Sequence, residues 1–443
     1  MKQAAVPGTM QRLPFDGVRA AVQRFVAWLE RYGETSYDHQ SFFAGRLGRG
    51  AKRLYYRKPR LGTLAVAPMI LCEAFVPGAR RLFWIPQRFP IADAHYAMGF
   101  AALARVVRAP RYHRRAVHFL GVLDQTRCPG SERDGWGYPF DWETRQGTIE
   151  RGTPLITTLA YVYEARRDVY AVDGDERWRQ GMRSIAQHAL VDYRDVATSP
   201  RAASCTYTPS PEDGGGVVNA SAYRAFLLTQ AGVDFSEAAY VEAADRNLNF
   251  VLDAQNSDGS WCYSVDGERD FVDHFHTCFV LKALAKIEAL TGASRCTEAI
   301  ERGVAYYVRH LFDEQRLPKP FARAPRLTVY RRELYDYAEC LNLATLLRGR
   351  VPELDAVLAT VLRDVLERWQ KPDGSFRTRQ LLLGWDNVPM HRWAQAQMFR
   401  SLCVLLSDDL RTSHDRATRR HETSPFAARR AGMSMTSPRD TRG

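Results

Sequence analysis

Six stretches of this chain carry similar text at a similar spacing, and no other feature limits its fold as much. They read IADAHYAMGF (91–100), GTPLITTLAY (152–161), VVNASAYRAF (217–226), DHFHTCFVLK (273–282), LYDYAECLNL (334–343) and PMHRWAQAQM (389–398). Each opens an apolar helix that mixes small residues with a few polar or aromatic ones, and each lies roughly 55 to 65 residues from the last. A period of this size marks stacked supersecondary units. Between them run amphipathic stretches such as RWRQGMRSIAQHALVDY (177–193) and ELDAVLATVLRDVLERWQ (353–370). A nearly all-apolar helix alternating with a half-polar one describes an inner helix buried on most sides and an outer helix with one wet face. Six such hairpins predict an all-α fold, an (α/α)6 toroid. Its inner helices aim the same end at a central cavity, with short β-hairpin-like loops at the cavity mouth.

Only five outer stretches follow the inner ones, because the chain turns polar after Leu406. The missing outer helix is expected at the start of the chain, in FDGVRAAVQRFVAWLERYG (15–33). There Val18, Val22, Phe25, Val26 and Leu29 form one stripe at helical spacing, with Arg19, Arg24, Glu30 and Arg31 largely outside it. This predicts that 15–33 packs beside 389–406 and closes the ring. The expected division is then 1–90 for the closing helix and a basic and apolar segment, 91–408 for the toroid, and 409–443 for a basic tail. That tail is rich in Arg, Ser, Thr and Pro and is expected to be disordered.

The chain has 443 residues and a formal charge of +12, part of it local. Arg46, Arg49, Lys52, Arg53, Arg57, Lys58 and Arg60 crowd one segment. A basic surface suits an acidic partner. Nucleic acid is not expected, because no motif for it occurs and the aromatics are not interleaved with the basic cluster. The eight cysteines form no CxxC pair and read as free thiols. No N-terminal apolar run of the secretory type is present. Together these favour the cytoplasm. The segment LGTLAVAPMILCEAFVPGARR (61–81) is broken by Pro68 and Glu73 and is too short to span a bilayer. It has two readings: a buried helix that plugs one mouth of the toroid, or, with its flanks over 46–84, a peripheral anchor on anionic lipid at the inner face of the membrane.

Related text ends the outer helices: DAQNSDGSW (253–261), RWQKPDGSF (368–376) and a looser DQTRCPGSERDGWGY (124–138). The stretch from Gln255 to Trp261 resembles the Q-x3-G-x-W repeat of squalene–hopene cyclases and protein prenyltransferases, and Gln370 to Phe376 resembles it with Phe for Trp. In those families the motif ties an outer helix to its neighbour, so the resemblance implies architecture and not chemistry. DHFHTCFVLKAL (273–284) is similar to the zinc-histidine helix of prenyltransferase β subunits, with His276 at the ligand position. The Asp-x-Cys pair that should precede it reads Asn219-Ala220-Ser221. Zinc needs three or four N, S or O donors, so no metal and no cofactor is expected. The acidic motifs of terpene enzymes are missing too, which weakens a terpene-cyclase or prenyltransferase-like activity.

A second resemblance spans roughly 36 to 406. SYDHQSFFAGRLGRGAKRLYYR (36–57), RFPIADAHYAMGF (88–100), GWGYPFDWETRQGTIERGTPLITTLAYVYEA (135–165) and the phrases HTCFVL, YDYAEC and RWAQAQMF look like bacterial polysaccharide-biosynthesis proteins encoded in exopolysaccharide gene clusters. The resemblance implies an α/α toroid and a role in making or tailoring an extracellular glycan. It does not choose a reaction, since the wider superfamily holds glycoside hydrolases, lyases and epimerases.

The loop GWGYPFDWETR (135–145) is the first candidate platform. Trp136, Tyr138, Phe140 and Trp142 supply flat faces for sugar rings, with Asp141, Glu143 and Arg145 between them. Trp385, Asp386, His391, Arg392 and Trp393 repeat the mixture in the last unit, where Arg392 is placed to grip an anionic group. The candidate catalytic residues are Asp141, His276, Asp336 and Glu339. Asp336 and Glu339 are one turn apart and are expected to share a face, where mutual repulsion would raise one pKa. Asp93 and Asp273 stand where an N-cap would. Hydrolysis would use two of the carboxylates, whereas lyase or epimerase chemistry would use His276 or a tyrosine as base. The sequence leaves open an enzyme of one of these types and a noncatalytic, membrane-associated glycan assembly protein. The expected partner under both is an acidic glycan or its lipid-linked precursor.

Overall fold

The computed structural model describes residues 13–129, 133–325 and 328–422. It opens with α1 (Phe15–Tyr32), followed by a short-helix segment of α2 (Ser41–Ala44), α3 (Arg46–Arg57), α4 (Pro59–Phe75) and α5 (Arg80–Phe83). Five helical hairpins follow: α6 (Pro90–Val107) with α7 (Pro110–Gln125), α8 (Ile156–Asp173) with α9 (Glu176–Val191), α10 (Val218–Phe235) with α11 (Ala238–Asp253), α12 (His274–Thr291) with α13 (Ser294–His310), and α14 (Leu334–Leu346) with α15 (Pro352–Asp364). A wide turn, His391–Gln395, leads into α16 (Ala396–Glu422).

The alternation in the sequence reappears as burial. Inner helix α6 buries every residue from Pro90 to Ala104. Its outer partner α7 buries Tyr112, Ala116, Phe119, Leu120 and Leu123, one stripe at helical spacing. Inner helices α6, α8, α10 and α12 end on a left-handed residue, Arg108, Gly174, Ser236 and Gly292 in turn. Each of these donates its N–H four residues back, which stops the helix and turns the chain outward.

Neighbouring inner helices touch through rings near their N-termini, and the contacts run all the way round. His95 meets Tyr161 at 4.3 Å, Tyr161 meets Tyr223 at 5.2 Å, and Tyr223 meets Phe279 at 5.3 Å. Phe275 meets Tyr335 at 4.9 Å, Tyr335 stacks on Trp393 at 5.6 Å, and Phe399 returns to Tyr96 at 5.9 Å. The fold is the all-α toroid, and its inner helices run parallel, because every contact joins the first turns of one to the first turns of the next. Small antiparallel sheets stand at that end: β1 (Trp142–Thr144) with β2 (Gly147–Ile149), β3 (Asp195–Ala197) with β4 (Ala203–Cys205), β5 (Val272–Asp273) with β6 (Phe321–Arg323), and the three-stranded β7 (Tyr330–Glu333), β8 (Arg379–Leu381) and β9 (Trp385–Asp386).

Helix α1 fills the sixth outer position, as two glutamines show. Gln255, after α11, donates its side-chain N–H to Ala299 O and Gly259 O, and Arg302 donates to its oxygen. Gln370, after α15, donates to Ala21 O and Gly374 O, and Arg24 donates to its oxygen. In both places an Ala and an Arg three residues on receive the glutamine, once from α13 and once from α1. A Cβ at Gly259 would stand 2.3 Å from Arg302 O, and one at Gly374 would stand 2.3 Å from Arg24 O, so both loops need glycine for the close approach. Phe25 then packs on Phe376 at 5.6 Å and on Phe399 at 5.2 Å.

The segment 36–89 lies against the mouth and is held by buried charges. Arg392 donates to Asp38 at 2.7 Å, Arg80 to Asp386 at 2.7 Å, and Arg379 bonds both Glu333 and Glu73. The reading of 61–81 as a buried plug is corrected. Only Gly62, Met69, Glu73 and Ala74 of α4 are buried, and its leucines face outward. At the other end, α16 continues in helix to Glu422, past residue 409 where the sequence places the disordered tail. Residues 423–443 of that expected tail lie outside the described residues.

Gln370→Ala is expected to lower stability by about 1–3 kcal/mol, because it leaves the Ala21 carbonyl and the Arg24 guanidinium without their partner. Gln255→Ala should cost a similar amount. Urea midpoints of the two variants check this; a loss at Gln255 with none at Gln370 would mean that α1 is not an integral part of the ring.

Candidate functional site

The inner-helix N-termini enclose a mouth lined by tyrosine and tryptophan. Tyr138 packs edge-on against Trp142 at 5.5 Å, and Trp142 against Tyr207 at 6.3 Å. Tyr263 stacks on Phe271 at 4.8 Å and meets the His276 ring at 4.6 Å. Arg392 lies over the Trp393 ring at 3.7 Å and over the Tyr138 ring at 4.7 Å. Tyr138, Trp142, Tyr207, Tyr263, His276 and Trp393 are half-buried, so this face is open to solvent. Burial pushes the Tyr263 hydroxyl up to about 12 and raises Tyr138, Tyr207 and Tyr335 as well. All four therefore keep their protons at neutral pH and offer O–H donors, which suits sugar hydroxyls and removes them as bases.

His276 stands at this mouth against Tyr263, and Asp336 is buried in the first turn of α14. Asp273 caps α12, its Oδ1 accepting from His276 N at 2.9 Å, as its position in the sequence predicts. The other oxygen stands 2.6 Å from His276 Nδ1. A carboxylate there fixes the tautomer with the proton on Nδ1 and leaves Nε2 as the acceptor. His274, by contrast, is buried, with Tyr307 on one ring nitrogen and the Leu311 and Lys319 carbonyls on the other.

Asp336 is 1 % exposed, and neither of its oxygens has a hydrogen-bond partner. Burial, and then the charges of Glu333 and Asp273, hold its carboxyl well above the usual range, which favours the protonated form. Glu333 answers Arg379 at 3.0 Å, and Asp386 answers Arg80. Burial opposes ionisation of Asp386, but Arg80, and then His39 at 3.7 Å, bring it down to about 2.

Below the aromatic layer the axis stays polar. Lys282 pairs with Glu339, Lys286 with Glu164, and Arg400 stands 3.7 Å from Glu164. Tyr161 and Tyr223 share a hydrogen bond between hydroxyls.

The structure separates several residues that the sequence groups together. Trp136 has no exposed surface and donates its N–H to Leu123 O, as Trp261 does to Val251 O. It is the tie tryptophan of the first loop, not part of a platform. His391 is fully buried, with Tyr96 on Nδ1 and the Gly33 carbonyl 3.1 Å from Nε2, so it serves ring closure and not a ligand. Trp385 packs on Trp369 at the end of outer helix α15, between Arg368 and Arg377. Glu339 lies in the Lys282 pair and does not stand free beside Asp336.

Asp141 pairs with Arg49 and accepts from Arg151 N, a latch between α3 and the β1–β2 hairpin. Arg145 is at the rim, 54 % exposed and 3.3 Å from Glu268. Arg392 is 1 % exposed and held by Asp38, so its charge is already answered. Asp93 is not a cap: it lies inside α6 and takes a two-pronged grip from Arg88. Tyr207, Tyr263 and Tyr335 join the mouth without having been anticipated. Tyr335 is legible in the repeat, one residue into its helix as Phe275 is, whereas Tyr207 and Tyr263 sit in loops that carry no shared pattern.

Among the described residues no group of three or more His, Cys, Asp or Glu side chains is placed to hold a metal ion. No family model matches the chain, and no curated protein sequence does. Solved structures do match in fold. A D-mannose isomerase superposes with a TM-score of 0.60 at 11% identity, over 91% of this chain and 99% of that one. A cellobiose 2-epimerase from Bacillus thermoamylovorans gives 0.57 at 9% identity, over 73% and 88%. An unsaturated glucuronyl hydrolase from a Bacillus species gives 0.57 at 12% identity, over 88% and 96%. None of the three is a polysaccharide-biosynthesis protein, and at these identities the likeness is one of fold: this chain is built as an α/α toroid like those carbohydrate-active enzymes.

Proposed function

We propose that the protein processes an acidic glycan, or its lipid-linked precursor, at the toroid mouth during polysaccharide production, by proton transfer. The observation that carries this reading is the His276–Asp273 pair at the open mouth, with Asp273 close enough to the buried Asp336 carboxyl for its charge to raise that group's pKa. His276 Nε2 is the base, taking a proton from a carbon next to a carbonyl or carboxyl group. Asp336 is the acid, donating to a leaving oxygen or to the opposite face of that carbon. Elimination and epimerisation both need this pairing. Hydrolysis through Asp336 and Glu339 is disfavoured by the Lys282 pair that occupies Glu339. The ring faces of Tyr138, Trp142 and Trp393 support a sugar, and the net charge of +12 supports an acidic one. The exopolysaccharide setting rests on the sequence resemblance, and a place at the cytoplasmic side of the membrane fits a lipid-linked substrate.

Incubation with an acidic exopolysaccharide in D2O tests the reaction. Deuterium at a ring carbon, or the absorbance of an unsaturated uronate, is expected, and His276→Ala should lower the rate by about 10² to 10⁴-fold. New reducing ends without either signal would make it a hydrolase, and no change of any kind would favour the assembly role. Trp142→Ala should weaken binding of the same glycan by roughly tenfold, about 1.4 kcal/mol, read by calorimetry.

Asp336→Asn separates catalysis from folding. An acid whose pKa is higher in the folded state holds its proton more tightly there, so stability falls as pH rises above about 4, the unfolded carboxyl value. The variant has no proton to lose. It is expected to be more stable than the parent at pH 7, to lose that advantage by about pH 3, and to lose activity at both. Equal urea midpoints of the two proteins at pH 7 would refute the protonated carboxyl.

A further inference from the structure

Leu61, Leu64, Pro68, Leu71 and Phe75 are three or four residues apart along α4, which puts them on one helical face, and all five are exposed. Leu64 is 72 % exposed. The opposite face is used: a Cβ at Gly62 would stand 2.0 Å from Tyr55 Cα on α3, and Glu73 is bonded to Arg379. So α4 is fixed to the body by its small and acidic residues and presents its leucines to solvent. Arg379 also begins β8, which places the β8–β9 hairpin beside α4. The tip of that hairpin, Leu382 and Leu383, is exposed too, Leu383 at 73 %.

Charge at this face has one sign. From 39 to 92 the sequence holds a single carboxylate, Glu73, and it is buried in the Arg379 pair. Arg46, Arg57, Lys58, Arg60 and Arg81 are exposed around the stripe. An apolar stripe with a purely basic rim matches a surface that is apolar beneath an anionic layer. A second copy of the chain would instead bring two basic rims together.

We propose that α4 and the β8–β9 tip dock on a bilayer of anionic phospholipid, with α4 lying in the plane of the headgroup boundary. The helix has 17 residues, roughly 25 Å, which is short of a hydrocarbon core of about 30 Å. No single helix among the described residues is long and apolar enough to cross, and the next helical piece, Pro77–Phe83, turns away by 119°. The helix therefore lies on the membrane and does not span it. This inference extends the lipid-linked branch of the proposed function, yet vesicle binding requires no sugar, so either can fail while the other stands.

Flotation of the full chain with vesicles tests it. One set is phosphatidylcholine alone, and the other has roughly one lipid in three replaced by phosphatidylglycerol. The protein should float with the anionic set, less so as salt rises from about 0.1 M to about 0.5 M. The double change Leu64→Asp and Leu71→Asp should reduce binding at least tenfold, and Leu383→Asp by a smaller factor. Val233→Asp, at an exposed valine on α10 remote from this face, should leave binding unchanged. Circular-dichroism melts that match the parent show that the variants fold. The proposal is overturned if the parent does not float, if the double variant floats as well as the parent, or if light scattering shows a dimer that Leu64→Asp dissolves and vesicles do not bind.

Discussion

A toroid of helical hairpins depends on closing, and here the closure turns on the side chain of Gln370. An open ring would leave α16 with a bare apolar flank and α6 with another. Here α16 packs directly on α6, Phe399 meeting Tyr96 and Phe100, and the glutamine seats a helix from the far end of the chain over that joint as the next outer helix, bonding Ala21 O as its counterpart Gln255 bonds Ala299 O. Once α1 is seated, Phe25 reaches Phe376 and Phe399, and His391 is locked between Tyr96 and Gly33. The start of the last inner helix is then fixed, and with it the flank of the mouth that carries Arg392 and Trp393.

The mouth is held by buried arginines. Arg80, Arg379 and Arg392 are each almost fully enclosed and each answers a carboxylate from another part of the chain. Such pairs contribute little net stability against an apolar substitute, but removing one partner strands a charge and costs about 3–5 kcal/mol. Their effect is positional. They set the segment 36–89 against the hairpins, and at Asp336 the pull of Arg379 is outweighed by burial first and then by the charges of Glu333 and Asp273.

Much of the fold is legible in the sequence because it is periodic. The six inner starts, the alternation of burial and the outer stripe of α1 all follow from spacing. The Gln255 and Gln370 motifs also carry their own receivers, since Ala21 and Arg24 repeat Ala299 and Arg302. The site is less legible because its pairings are long-range. Nothing near Glu339 announces Lys282, and nothing near His391 announces Tyr96. Trp136 has a signal that was available: it follows a glycine at the end of an outer helix, as Trp261 does two residues after Gly259, and belongs to the same tie. Aromatic density in its loop made it resemble a sugar platform. His276 faces the mouth and His274 the core, and no local pattern of two alternate histidines decides which way round they go. For α4 the sequence left a buried plug and a surface anchor both open, since hydrophobicity alone does not say which face a helix turns to water.

Parallel inner helices have an electrostatic result that no side chain supplies. Each helix carries about half a positive charge at its N-terminus, from peptide dipoles aligned along its axis. In a single helix that field fades within a turn. Six of them point at one opening, while the outer helices, whose C-termini end on the same side, stand on the outer ring, so the positive bias is strongest at the centre of the mouth. The centre of the mouth is therefore biased toward negatively charged groups before any lysine or arginine is counted. A proton leaving a sugar carbon would leave its electrons behind in the part of the molecule where the backbone itself most favours them.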